Sequence, residues 1–275
     1  MTVWRKRLTQ LLAVTKIEMQ RNFFTRRALL LYVMAFAPAI VVGLHGLESP
    51  LGKRCSISED TQILGGIIQV FYMRLGIFFG CLAIFTWLFR GEIVQRSLHY
   101  YLLTPMRREI LVVGKFIAGA VTSSLIFGAG TLLCFIFMYG HFGPAGQQFV
   151  FDGPGLHHLT AYLTIVVLAC FGYGAIFLAL SMLFRNPIIP GAFVFGWESI
   201  SGVLPAMLQK FSVTFYLKNL APVPLPGRGI LALFTVVAEP VPGIFAIPGL
   251  FLLVATLLTF ACFWVRRMEI SYARD

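Results

Sequence analysis

Few side chains in this sequence are placed to do chemistry. Arg74 and Glu198 interrupt long apolar runs. A charge inside a bilayer costs at least about 2.5–3.5 kcal/mol and is normally paired or turned toward water. A polar island at 90–115, RGEIVQRSLHYYLLTPMRREILVVGK, carries five cations: Arg90, Arg96, Arg107, Arg108 and Lys115. Such a stretch belongs at a membrane surface or against a protein partner, not in hydrocarbon. Nucleotide chemistry asks for GxxxxGK[ST]. The pairs Gly52-Lys53 and Gly114-Lys115 lack both the upstream Gly and the following hydroxyl residue, so no ATPase site is expected in the chain itself. His157 and His158 are adjacent near Asp152. Neighbouring side chains diverge, which argues against a shared metal. The apolar runs carry no Ser/His, Glu-x-x-His-His or paired-Asp constellation that an intramembrane enzyme would need.

The elements that hold these residues are membrane helices. Of 275 residues, 58% are apolar and 12% charged, half the share of about 25% usual in soluble domains. A helix needs about 20 apolar residues to cross hydrocarbon. The hydropathy pattern predicts an all-α integral membrane protein, a single domain with six spans at 28–45, 66–89, 111–138, 159–184, 187–208 and 246–265. Ahead of them, Leu8, Leu11, Leu12 and Met19 recur at helical spacing, which predicts an amphipathic interfacial helix over 8–27. The polar stretch before the first span is longer than a secretory leader, so that span is expected to remain as an anchor. An outer insertion at 209–245 holds five prolines around GILALFTVVA, 229–238. Ten residues give about 15 Å, half a bilayer, so this piece is expected to be interfacial or re-entrant.

Six spans place both termini on one side. Lys and Arg at 5, 6, 7, 16, 21, 26, 27, 90, 96, 107, 108, 115, 185, 266, 267 and 274 then share that side, against 53, 54, 210, 218 and 228 on the other. This is the asymmetry of cytoplasmic loops. It accounts for the net charge of +11 without a nucleic-acid partner, and it favours contact with anionic lipid. The five cysteines show no metal spacing, and four lie in apolar runs as small hydrophobes. Arg74 lies about 24 Å above Arg90, and Glu198 about 20 Å above Arg185, at 1.5 Å per residue. The two depths nearly agree. Gly76 and Gly80 form a GxxxG pair on the same span as Arg74, a motif that permits close helix approach.

Glu92, Arg96-Ser97-Leu98, Leu102-Leu103, Pro105, Arg107 to Ile110 and Gly114-Lys115 resemble the cytoplasmic segment between the second and third spans of type 2 ABC transporter permeases. Ser97 stands where Thr is usual and His99 where an acid is common. The stretches 172–190 and 196–205 are also similar to bacterial members. The resemblance implies a permease of the bacterial inner membrane with both termini cytoplasmic. It further implies two permease chains working with a cytosolic ABC ATPase dimer that carries the ATP and magnesium. The 90–110 segment would be a coupling helix: Glu92, Arg96, Arg107, Arg108 and Glu109 supply charged contacts, Leu98, Tyr101 and Leu102 fill the groove, and Pro105 breaks the turn. Arg74 and Glu198 would line the pathway. Export of substrate or lipid is the expected direction. The rival function is a non-transporting scaffold that passes ATPase motion to an outer partner.

Overall fold

The computed structural model describes residues 3–25, 28–48, 56–94, 103, 106–184, 186–201, 204–223 and 243–267, and every regular element among them is helical. In chain order these are α1 (Val3–Phe24), α2 (Ala28–Glu48), α3 (Ile57–Gly91, running on through Glu92–Val94), α4 (Arg108–Gly140) and α5 (Pro144–Phe151). There follow α6 (Gly155–Leu183), α7 (Ile188–Ile200), α8 (Ala206–Gln209), α9 (Val213–Lys218) and α10 (Gly243–Arg267). Five of them, α2, α3, α4, α6 and α10, are long and apolar enough to cross a bilayer. The chain is a multi-pass membrane protein.

The central mast is α4, against which α1, α2, α6 and α10 pack. Its small residues let neighbours close in. A methyl at Gly130 would stand 2.2 Å from the carbonyl oxygen of Ala35 on α2. The ring of Phe85 on α3 fits between Gly119 of α4 and Gly174 of α6, where added methyls would stand 2.7 and 2.5 Å from it. Without solvent to drive helices together, such close packing is the main cohesive force in lipid. The GxxxG pair serves this packing too: a methyl on Gly80 would meet Phe127 of α4 at 2.5 Å. Conversely, α2 and α10 turn Leu29, Val33, Ile40, Phe251, Leu252 and Phe263 outward.

Three expectations shift. First, α3 begins nine residues before the predicted 66. Ser56 caps it, its Oγ accepting from the Glu59 amide at 3.2 Å, as a Ser-x-x-Glu start does. The polar ISEDTQ run hid this turn from a hydropathy reading. The ladder of α3 also widens to i→i+5 bonding over Ile67–Gly76 and Trp87–Gly91, a device common at functional sites. Second, among the described residues the span predicted at 187–208 is not one helix: α7 covers 13 residues, Ile188–Ile200, about 20 Å, and α8 starts at Ala206. The Ser201 hydroxyl bonds back to the Glu198 carbonyl, and Pro205 soon follows, unable to donate to a helix. Third, the N-terminal helix covers Val3–Phe24. It turns Val14 and Glu18 inward, with Leu8 and Leu12 exposed. Of the predicted insertion, 209–223 folds as the end of α8, then α9 and a turn. The 229–238 piece lies outside the described residues.

Candidate functional site

Two charged clusters gather the residues singled out by sequence. The first lies where the 90–115 segment leaves and re-enters the bundle. Lys115, fully buried, points its Nζ at Glu18 Oε1 (2.6 Å), Glu92 Oε1 (2.8 Å) and the Leu88 carbonyl (2.8 Å). An ammonium has three protons, and each has an acceptor here. Arg21 Nη1 adds a bond to Glu92 at 3.0 Å and stands 3.6 Å from Glu18. Two carboxylates and two cations balance, as a buried group of charges must. Burial pushes the Glu92 carboxyl above its ordinary value, with Lys115 pulling against it and Glu18 adding to the rise.

Local sequence explains the meeting. Gly114 lets α1 reach α4, since a methyl there would stand 2.9 Å from Val14, and Thr15 donates to the Gly114 carbonyl. Lys115, one residue on, then faces Glu18 one turn along α1. The Gly-Lys pair is thus a close approach followed by a clamp. Glu92, expected as a contact for a partner, is only 1% exposed. It holds the two feet of the segment together rather than facing outward. Glu18 was absent from the sequence reading. Its signal was an acid one turn from Val14 on the inner stripe of an otherwise basic helix.

The other foot is tied to α10. Arg108 Nη1 donates to the carbonyls of Val265 (3.2 Å) and Arg266 (3.3 Å), while Arg266 pairs with Glu109. Cations at a helix C-terminus are favourably placed. Both Arg108 and Glu109 therefore have partners within the chain, and Arg107 is exposed. Arg96, Leu98, Tyr101, Leu102 and Pro105 lie outside the described residues.

The second cluster lies within the bundle. α7 runs antiparallel along α3: a methyl on Gly191 would meet Leu82, and the Phe195 ring packs edge-on against Phe78 and tilted against Phe79, with centroids 5.2 and 5.3 Å away. That register brings Glu198 to the level of Arg74, as the depth count predicted. Glu198 gives its carboxylate to the start of α9, accepting from Ser212 Oγ (2.7 Å), the Val213 amide (2.9 Å) and the Thr214 amide (3.1 Å). It meets Arg74 through the longer-range field, which also includes Tyr173 and Lys218. The Tyr173 hydroxyl reaches Thr214 Oγ1 at 3.0 Å. The acid is a helix cap that joins the broken fifth segment; Arg74 sits beside it in the widened part of α3.

A family model described as ABC-2 family transporter protein matches residues 12–211. No curated protein matches the chain.

Proposed function

The chain belongs to the ABC-2 transporter family, and on that premise we propose that it is the membrane permease of an ATP-driven exporter in a bacterial inner membrane. Two copies, or one copy and a relative, form the pathway. A cytosolic ABC ATPase dimer, which holds ATP and magnesium, drives it through the 90–110 segment. The observation that carries this reading is the bond between Glu92 and Lys115, 2.8 Å long and dry. It locks the departing and returning feet of the segment to each other, and Arg108 and Glu109 lock the returning foot to α10. Feet tied to each other and to α10 move together with the bundle, which is what force transmission between domains requires. Leu98, Tyr101 and Leu102, with Arg96 and Arg107, are the segment's contact surface for the ATPase.

Helix ends support six crossings with cytoplasmic termini. The start of α4 meets the end of α10 through Arg108 and Val265, while the start of α3 meets the end of α4 through Thr61 and Tyr139 at 3.0 Å. Gln69 bonds the Val223 carbonyl at 2.7 Å, so the chain after α7 has climbed to the outer part of α3. The fifth crossing is α7 followed, past Pro205, by the short helices α8 and α9. Arg74 and Glu198 then line or support the pathway between copies.

Copurification tests the reading. The chain is expressed with cytosolic ABC ATPases of the same cell, and hydrolysis by any that copurifies is measured with and without the permease. Leu98→Asp with Leu102→Asp is expected to abolish capture and permease-dependent hydrolysis. Intact capture and hydrolysis in that variant overturn the coupling role.

A further inference from the structure

Between the N-terminal half of α1 and the first turns of α4 runs an open trough of about 460 Å³, a volume typical of small-molecule sites. Its walls are apolar: Trp4, Leu8 and Leu11 from α1, Ile110 and Val113 from α4. Its rim is cationic. Arg5 and Arg7 line it, with the Arg7 guanidinium 5.6 Å from the Trp4 ring centroid. The carboxylate on the rim, Glu109, already pairs with Arg266, so its charge is matched from the other side. Lys6, Arg107 and Arg267 stand on the same end of the molecule, and Trp4 and Leu8 are 78% and 58% exposed.

We propose that this trough seats one anionic phospholipid, its acyl chain along the apolar walls and its phosphate at Arg5 and Arg7. The chemistry on the page selects that occupant. An apolar slot beside two guanidiniums matches a molecule with a hydrocarbon tail and a phosphate head, and guanidinium binds phosphate through two parallel N–H bonds. Tryptophan at the mouth sits where an aromatic ring favours the boundary between tails and headgroups. The inference rests on the reading that this end of the bundle lies at the cytoplasmic surface.

The test uses the full chain in bilayers containing phosphatidylglycerol or phosphatidylcholine whose acyl chains are brominated near the glycerol. Trp4 emission is isolated as the difference from the Trp4→Phe variant. Quenching by brominated phosphatidylglycerol is expected to exceed that by brominated phosphatidylcholine at least twofold at equal mole fraction. Arg5→Gln with Arg7→Gln should erase the preference. Val113→Phe should erase it as well, by filling the slot while leaving both arginines. Lys16→Gln, which removes an exposed cation of α1 outside the trough, should keep it. Equal quenching by both lipids overturns the site while leaving α1 at the surface. A Lys16→Gln loss as large as that of the arginine pair overturns it in favour of diffuse attraction. No quenching by either lipid overturns the surface placement as well. Quenching that vanishes when the ATPase binds assigns the trough to that subunit instead.

Discussion

Replacing Lys115 with Met removes the fully buried cation that bonds both buried carboxylates and leaves Arg21, 3.0 Å from Glu92 and 3.6 Å from Glu18, to answer the two of them. Lys115 is 0% exposed, Glu18 2% and Glu92 1%. Their set carries two negative and two positive charges, and the substitution leaves a net charge of −1 with Arg21 as the only cation of the four. The Leu88 carbonyl loses its lysine donor too. Breaking a buried ion pair by deleting one partner costs about 3–5 kcal/mol. At about 2–4 °C per kcal/mol for chains of 150–250 residues, the melting temperature should fall by roughly 6–20 °C. The buried thiols Cys81, Cys134 and Cys170 report unfolding directly through a thiol-reactive dye. Glu18→Gln with Lys115→Met restores charge balance around Glu92 and Arg21, so the double variant should melt above Lys115→Met alone. The deficit should also shrink as pH falls, because an unpaired buried carboxyl takes up a proton instead of remaining charged. The reasoning is refuted if Lys115→Met melts within about 1 °C of the parent, or if the double variant is the less stable.

Further outcomes follow from other contacts. Glu92 has its carboxyl raised by burial, so the folded chain binds more protons above the ordinary value of 4.5. Its ionisation cost is absent below that pH and grows as pH rises through the raised value, so stability drains upward from about pH 4.5. The melting temperature of Glu92→Gln should vary less with pH between about 4.5 and 7 than that of the parent. Glu198→Ala strips three donors of their acceptor, at about 1–3 kcal/mol for each donor left buried and unsatisfied; protease cutting within 201–223 should accelerate. Exchanging Arg74 and Glu198 should fail to restore either single loss, since an arginine at 198 would face the amides of Val213 and Thr214; recovery in the double variant would show a direct pair to be the essential contact. Gly130→Ala drives a methyl to 2.2 Å from the Ala35 carbonyl and should lower the melting temperature more than Gly128→Ala, where the nearest atom is Leu163 Cδ2 at 4.0 Å.

Much of the bundle was legible in hydropathy, because a helix in lipid must be long and apolar whatever it packs against. The cores of α2, α4, α6 and α10 fall where the pattern put them. What eluded the sequence is what depends on contacts between distant residues. The polar first turns of α3 are helical because Ser56 caps them and Asp60 faces His45 and His141 at 3.6 and 3.5 Å. The apolar count over 187–208 suits a span, yet a carboxylate at 198 is better satisfied by the amides of α9 than by a continued helix. Glu18 was hidden for the same reason: nothing within α1 reveals that its partner lies 97 residues away. The depth match of Arg74 with Glu198 was readable, since rise per residue is local. Their orientation needed the antiparallel seat of α7 on α3.

The shortness of α7 bears on how the protein is made. A segment of about 20 Å falls short of the roughly 30 Å of hydrocarbon, and it carries an acid whose hydrogen-bond donors, Ser212 to Thr214, are synthesised 14 to 16 residues later. A nascent chain ending at Ile200 therefore holds a helix that hydrophobicity alone does not commit to the membrane. Its seat is the surface of α3 around Leu82 and Phe78, already in place by then. In the six-crossing arrangement proposed above, insertion of α7 is a folding step inside the bilayer: the segment docks on an earlier helix and is capped when α9 arrives to close over Glu198.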